Sequence, residues 1–396
     1  MLKTTAIVLF LLFVSSRPSF SQNTDPVSLD ELRTQADEVL KMDNVTARRD
    51  IDVVFALVDR LLATNQQDMA ESYITQGLRS FPWDLEHQMI YAEMLTKKGK
   101  EATAKEKAAL VLKYAEKDDL ISRARKLLGT APLPDIPGIT SLSGTNHCIV
   151  LIPFQGCDRW LILRIKDELC ATLGVPVYVQ KIDMNYPPVS RDRRQSIINR
   201  FKREVEKNLS DPHVSKSMKD LRLEKKDIQV EANVLKLMHH IARLNGRQGE
   251  ETLETYLKDA TGKDPQWNAD QLLETLVNAV RPFRRQNIAY LGITPVDIYT
   301  ADYNFLFGWA YNSGGIISYR RFSAVFNDET PSQDRLIKRT LMQCLSSLGF
   351  VHGIEKCSDP TCAKAYPNSL TEHDAKTGAL CSECKNAFKK ALGQDK

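Results

Sequence analysis

From Ser28 to Leu128 apolar residues recur three and four positions apart, the spacing that lays one apolar stripe along a helix, so this stretch predicts a run of helices. Within it Ala70 recurs as Ala104, Leu78 as Leu112 and Phe81 as Ala115, a period of thirty-four residues, and Pro82 closes a helix. The rhythm stops at Ala131–Asn146, APLPDIPGITSLSGTN, where three prolines and two glycines predict a linker. Beyond it the period changes. His147–Phe154 is a short apolar strand, Asp158–Leu173 an amphipathic helix, Val175–Ile182 an alternating strand, and Arg191–Lys207 helical again. Strand, helix, strand, helix in that order predicts a three-layer α/β domain. Residues 211–281 read as a mostly helical insertion, and their Lys, Glu and Leu content predicts a surface cap. At the other end, Lys3 precedes an unbroken apolar run from Ala6 to Val14, and SRPSFSQ supplies small residues for a cut after Ser21. Nine apolar residues are too few to span a bilayer, so the run predicts a signal peptide at 1–21 and an exported chain, periplasmic or extracellular, with no transmembrane segment after its removal. An uncleaved anchor over Leu2–Phe20 is the alternative.

The expected fold class is therefore α+β overall: an all-α domain at 26–130, the linker at 131–146, and an α/β domain at 147–396. The thirty-four-residue period, with small residues where paired helices would touch, resembles the tetratricopeptide repeat. That resemblance implies a surface for a peptide or protein partner; the plainer reading is a helical spacer. Composition adds little. Over 396 residues, 42% are hydrophobic and 26% charged, as in ordinary globular chains. A net charge of +4 with no basic tract interleaved with aromatics argues against nucleic acid as a partner.

The chemistry is concentrated near the C-terminus. Cys357, Cys362, Cys381 and Cys384 fall as C-x4-C, eighteen residues, then C-x2-C. Two close pairs brought together by one loop suit the tetrahedral demand of Zn²⁺ for four thiolates, so one structural zinc held in the 357–384 loop is expected. Disulfides in an exported chain are the other reading. The segment CSDPTCAKAYPNSLTEHDAKTGALCSEC resembles the end of the archaemetzincins, zinc metallopeptidases in which such a loop follows the catalytic motif HExxHxxGxxHC. Residues 287–322 are similar to the strands that lead into that family's catalytic helix, DRRQ near Arg193 is a further echo, and the likeness extends over about 148–384. It implies a metzincin-like α/β fold.

Counting back from Cys357 without a gap, the family's glycine falls on Gly353 and its Leu-Gly pair on Leu348–Gly349. The same register puts Ser346, Phe350 and Lys356 where the resemblance implies zinc-binding histidines, and Ser347 where it implies the catalytic glutamate. A catalytic zinc needs three neutral donors and a carboxylate base for its water. Neither phenyl nor ammonium binds zinc, a seryl hydroxyl is no general base, and Lys356 is expected to put a cation where the metal would sit. If the register slides four residues, His352 becomes the third ligand and Gly349 the glycine, with Met342, Gln343 and Ser346 in the other places. Either way at least two ligands and the base are missing.

Other candidates carry less. His239 and His240 are adjacent and so face different sides of a helix. His352 and His373 flank the cysteine loop, where four ligands already suffice, and His373 is expected to pack or cap. Cys148, Cys157, Cys170 and Cys344 admit one or two disulfides, and Cys344 reads as a core thiol. Gly314–Gly315 is a turn before a strand. The function expected is a catalytically inactive pseudo-metallopeptidase that binds a peptide or protein through its helical repeat or vestigial cleft. The alternative is an active zinc metallopeptidase with a site rebuilt from His239, His240 or His352.

Overall fold

The computed structural model describes residues 28–41, 48–139, 147–182, 184–187, 193–244, 265–300, 303, 305–311, 314–367 and 369–394; the expected signal peptide and linker residues 140–146 lie outside them. In chain order the helices begin with Leu29–Leu40 (α1), Arg48–Ala63 (α2), Gln67–Ser80 (α3), Leu85–Lys97 (α4), Glu101–Tyr114 (α5) and Asp118–Leu128 (α6). Next come Cys148–Pro153 (β1), Arg159–Leu173 (α7), Val177–Val179 (β2), Arg193–Lys207 (α8), Pro212–Asp220 (α9), Glu231–Leu244 (α10), Gln266–Asn268 (β3) and Ala269–Val280 (α11). The chain finishes with Ile288–Thr294 (β4), Asp297–Tyr299 (β5), Gly308–Tyr311 (β6), Gly314–Ser318 (β7), Ala324–Asn327 (α12), Gln333–Val351 (α13), Leu370–Asp374 (α14) and Ser382–Ala391 (α15).

The helical period is realised as six helices, each packed mainly on its sequence neighbours. Helices α3 and α5 are offset by thirty-four residues at both ends, and the equivalent Ala70 and Ala104 are both fully buried, which is where small residues let helices approach. Ile51, Val54, Leu57, Leu61 and Ile74 fill the core of the first helices. These six helices share one compact unit with the parallel sheet and the C-terminal loop.

The sheet runs β2-β1-β4-β7-β6, with β1 parallel to both β2 and β4, and β4 parallel to β7. β6, at its edge, is the strand in which the chain passes from one unit to the other. β1, β4 and β7 are buried at every position, which is why each reads as a continuous apolar run and not an alternating one. Helices α7 and α13 touch each other and the sheet. The linker is partly fixed: Lys181 N donates to Pro137 O at 2.7 Å and Ile139 N to Lys181 O at 3.1 Å, so 137–139 lies beside β2.

Two carboxylates at the α5–α6 junction tie the N-terminal helices to the starts of three later ones. Glu116 accepts from Ala324 N at 2.9 Å and Ser332 N at 3.1 Å, which are the first residue of α12 and the N-cap of α13. Asp118 accepts from Arg159 N at 2.5 Å and Trp160 N at 3.2 Å at the start of α7. Unsatisfied N–H groups at helix starts are the natural partners of such anions. Burial, the largest influence, pushes the Glu116 carboxyl above its ordinary range against these hydrogen bonds.

The second unit has a hydrophobic core of its own. Ile198, Phe201 and Val205 of α8 pack with Val214 and Met218 of α9 and with Val234, Leu237 and Met238 of α10 into a hydrophobic core. That core begins in α8, upstream of residue 211, and α8 belongs with the insertion. β3 and β5 form a separate parallel pair in this unit.

Candidate metal centre

Helix α13 is capped by Ser332, whose hydroxyl accepts from Arg335 N at 3.3 Å, and it carries a buried polar row: Arg339, Thr340, Gln343, Ser346 and Ser347. It ends at His352. Gly353 then adopts φ +70°, a left-handed conformation that a side chain disfavours, and Ile354 N closes back on Gly349 O at 2.8 Å. This reversal delivers the chain to Cys357.

The four cysteine sulfurs all lie within 4.8 Å of one another. Cys357 Sγ and Cys381 Sγ are 3.7 Å apart, against about 3.8 Å for the edge of a tetrahedron with zinc–sulfur bonds of about 2.3 Å. Cys381 is the N-cap of α15 and accepts from Cys384 N at 3.5 Å, while Cys362 Sγ accepts from Lys364 N at 3.4 Å and Cys381 N at 3.3 Å. That N–H from Cys384 is the main reason the Cys381 thiol sits below its ordinary value, whereas burial pushes Cys357 and Cys384 up. Four thiols this close resist joint ionisation, and a cation among them removes the resistance. The cluster fits zinc, and among the described residues it is the one group of three or more His, Cys, Asp or Glu ligands gathered this way. The eight cysteines form no disulfide: Cys148 and Cys344 are buried, Cys170 is exposed, and Cys157 donates to Ile293 O at 3.0 Å.

The loop is held from α13. The Arg339 side chain, 1% exposed, donates to Asp374 at 2.7 and 2.6 Å, to Glu329 at 3.0 and 3.1 Å, and to Phe322 O at 2.9 Å. Two lysines are buried beside the sulfurs. Lys376 Nζ donates to Ala365 O at 2.5 Å and Ala363 O at 3.4 Å, and burial brings its amine down to about 8. Lys364 is 0% exposed, its Nζ has no hydrogen-bond partner, and it lies 4.4 Å from the centroid of the Phe350 ring.

The four motif positions differ in exposure. Ser346 and Ser347 are buried, and Ser347 accepts from Gln343 Nε2 at 3.2 Å. Phe350 is 37% exposed. Lys356 is exposed, with Nζ 5.0 Å from the Tyr366 ring. The cation packed on the helix is Lys364. Its side chain lies flat on Gly349, where an added Cβ would stand 2.1 Å from Lys364 Cε. Sequence reasoning missed Lys364, Lys376 and Arg339 because charged residues read as surface; the glycine one turn from Ser346 was the only hint.

The histidines take other roles. His373 is buried 4.9 Å from the Phe322 ring, and burial brings it down to about 3, so it packs neutral. His352 has Nε2 without a hydrogen-bond partner, and burial followed by the nearby His147 lowers its basicity. His239 and His240 are half-buried on α10 in the other unit, with His240 Nε2 3.5 Å from Asp220.

Residues 196–390 match the model of peptidase family M54. This part of the chain is archaemetzincin-like. It is 34% identical over 109 residues to the archaemetzincin of Pyrococcus furiosus, covering 27% of this chain and 57% of that one. With the archaemetzincin of Thermococcus kodakarensis the identity is 29% over 144 residues, 31% of this chain and 77% of that one. The chain thus spans little over half the length of the first of these relatives. Among solved structures, the archaemetzincin of Methanopyrus kandleri is 19% identical with a TM-score of 0.38, covering 64% of this chain and 98% of that one. A zinc-dependent peptidase from Methanocorpusculum labreanum is 20% identical with a TM-score of 0.36, covering 61% and 99%.

Proposed function

We propose that this chain is an exported, non-catalytic archaemetzincin-like protein that binds a peptide or protein partner and holds one structural zinc on Cys357, Cys362, Cys381 and Cys384. The observation that carries the reading is Lys364 lying across Gly349 with its ammonium over Phe350. In this reading Lys364 stands on the helix face that the resemblance assigns to zinc, and the residues of that register, Ser346, Ser347 and Phe350, offer neither imidazole nor carboxylate. Loss of the catalytic donors leaves the cysteine loop its folding role, since a structural zinc supplies folding free energy. The helical array, tetratricopeptide-like in period, is the natural surface for a partner; in this reading Glu116 and Asp118 hold it against the α/β part.

A rebuilt metallopeptidase site is the second reading, favoured by the unpartnered Nε2 of His352 beside His147. It lacks a third ligand and a base gathered around that atom among the described residues. The two readings separate in a quenched-fluorescence peptide library. The expected result is retention of some peptides with none cut, with or without added zinc. Chelator-sensitive cleavage abolished by His352→Ala would overturn the proposal.

A further inference from the structure

We propose that Lys364 and Lys376 are the charge partners of the four-cysteine centre when it holds a divalent metal; this rests on the zinc reading above. Four thiolates around a divalent ion carry about two net negative charges. Such an excess inside a protein is costly unless opposite charge is buried with it. Two ammonium groups are buried here. Lys364 follows Cys362 by two residues, is fully buried, and donates its backbone N–H to Cys362 Sγ at 3.4 Å. Lys376 is 3% exposed and is aimed by hydrogen bonds to Ala363 O and Ala365 O, the carbonyls on either side of Lys364. Thiolates, metal and ammoniums then sum to zero. Glu355, the other acid near Lys364, is exposed and keeps its own solvation.

The geometry of Lys364 gives the idea a distinctive consequence. Its Nζ makes no hydrogen bond and faces the Phe350 ring at 4.4 Å, so its charge is costly to bury when no metal is bound. Replacing it by a neutral chain of similar length relieves the metal-free protein and penalises the metal-bound one. A residue that only filled space would move both forms the same way.

The test uses the full chain and zinc alone as the probe, with affinity from competition against a chromophoric chelator and melting temperature with and without zinc. Lys364→Met and Lys364→Gln are each expected to bind zinc about 10- to 100-fold more weakly, as for other groups behind metal ligands. They should also melt higher than the parent when metal-free and gain less on adding zinc. Lys376→Met should weaken zinc binding by a similar factor. Lys356→Met, next to Cys357 but exposed, should leave it unchanged. Cobalt in place of zinc should show unaltered thiolate charge-transfer bands in every variant, since the ligands are intact. If the parent binds zinc and the buried-lysine variants bind it equally well, or if Lys356→Met weakens binding as much, the charge-partner proposal is overturned while the zinc reading stands. If the parent binds no zinc, both fall.

Discussion

Replacing Arg339 by methionine removes the guanidinium that joins helix α13 to the cysteine loop while keeping most of the aliphatic stem. The lost partners are Asp374, Glu329 and the Phe322 carbonyl. Breaking one side of a buried ion pair costs about 3–5 kcal/mol. Here the carboxylates can recover water, since the side chains of Asp374 and Glu329 are 40% and 30% exposed, which discounts the figure to about 2–3 kcal/mol. For a unit of this size that corresponds to a melting temperature lower by roughly 5–10 °C. The pH dependence has a sign. Burial opposes ionisation of Asp374, but the hydrogen bonds and charge of Arg339 outweigh it and hold the carboxyl below its ordinary 3.8. A depressed folded value means the stabilisation is present above the unfolded value and disappears as pH falls through the folded one. Urea midpoints of the parent and R339M should therefore differ most at neutral pH and converge as pH falls below 3.8 and through the lower folded value. Equal midpoints at pH 7, or a gap that widens in acid, would refute the idea that this ion pair anchors the loop.

Gly349→Ala should destabilise the chain by about 1–3 kcal/mol, because the new methyl would stand 2.1 Å from Cε of the fully buried Lys364 and force that side chain to shift; Lys364→Ala in the same chain should recover most of the loss, a coupling read from a denaturant double-mutant cycle. Cys381→Ser should give insoluble or protease-sensitive protein, and chelation of the parent should lower its melting temperature; an unchanged protease digest would contradict a structural role for the metal. Secreted material produced with the chain's own N-terminus should begin near Gln22, and recovery of full-length chain from the cytosol would count against export.

Period and spacing made much of this molecule legible. The apolar run at Cys148–Pro153, the helix predicted at Asp158–Leu173 and found at Arg159–Leu173, and the thirty-four-residue offset of α3 and α5 all follow from local rules. The cysteine cluster follows from ligand spacing, which is also local within each pair. What stayed hidden depends on partners far away in sequence. Glu116 is unremarkable until Ala324 and Ser332 point their N–H groups at it, and Arg339 is a surface residue by composition until Glu329 and Asp374 surround it. Strand–helix alternation places helix α8 in the α/β frame; its apolar face meets α9 and α10. Register draws attention to Lys356, whereas the lysine packed on the helix, Lys364, comes from a later loop.

The central claim, one structural zinc and no catalytic one, is tested most directly by counting metal in the intact chain under native mass spectrometry after incubation with excess zinc. The account predicts one zinc per chain in the parent and none once Cys362 and Cys384 are both replaced by serine. A second zinc, retained when those cysteines are gone and lost in His352→Ala, would contradict it.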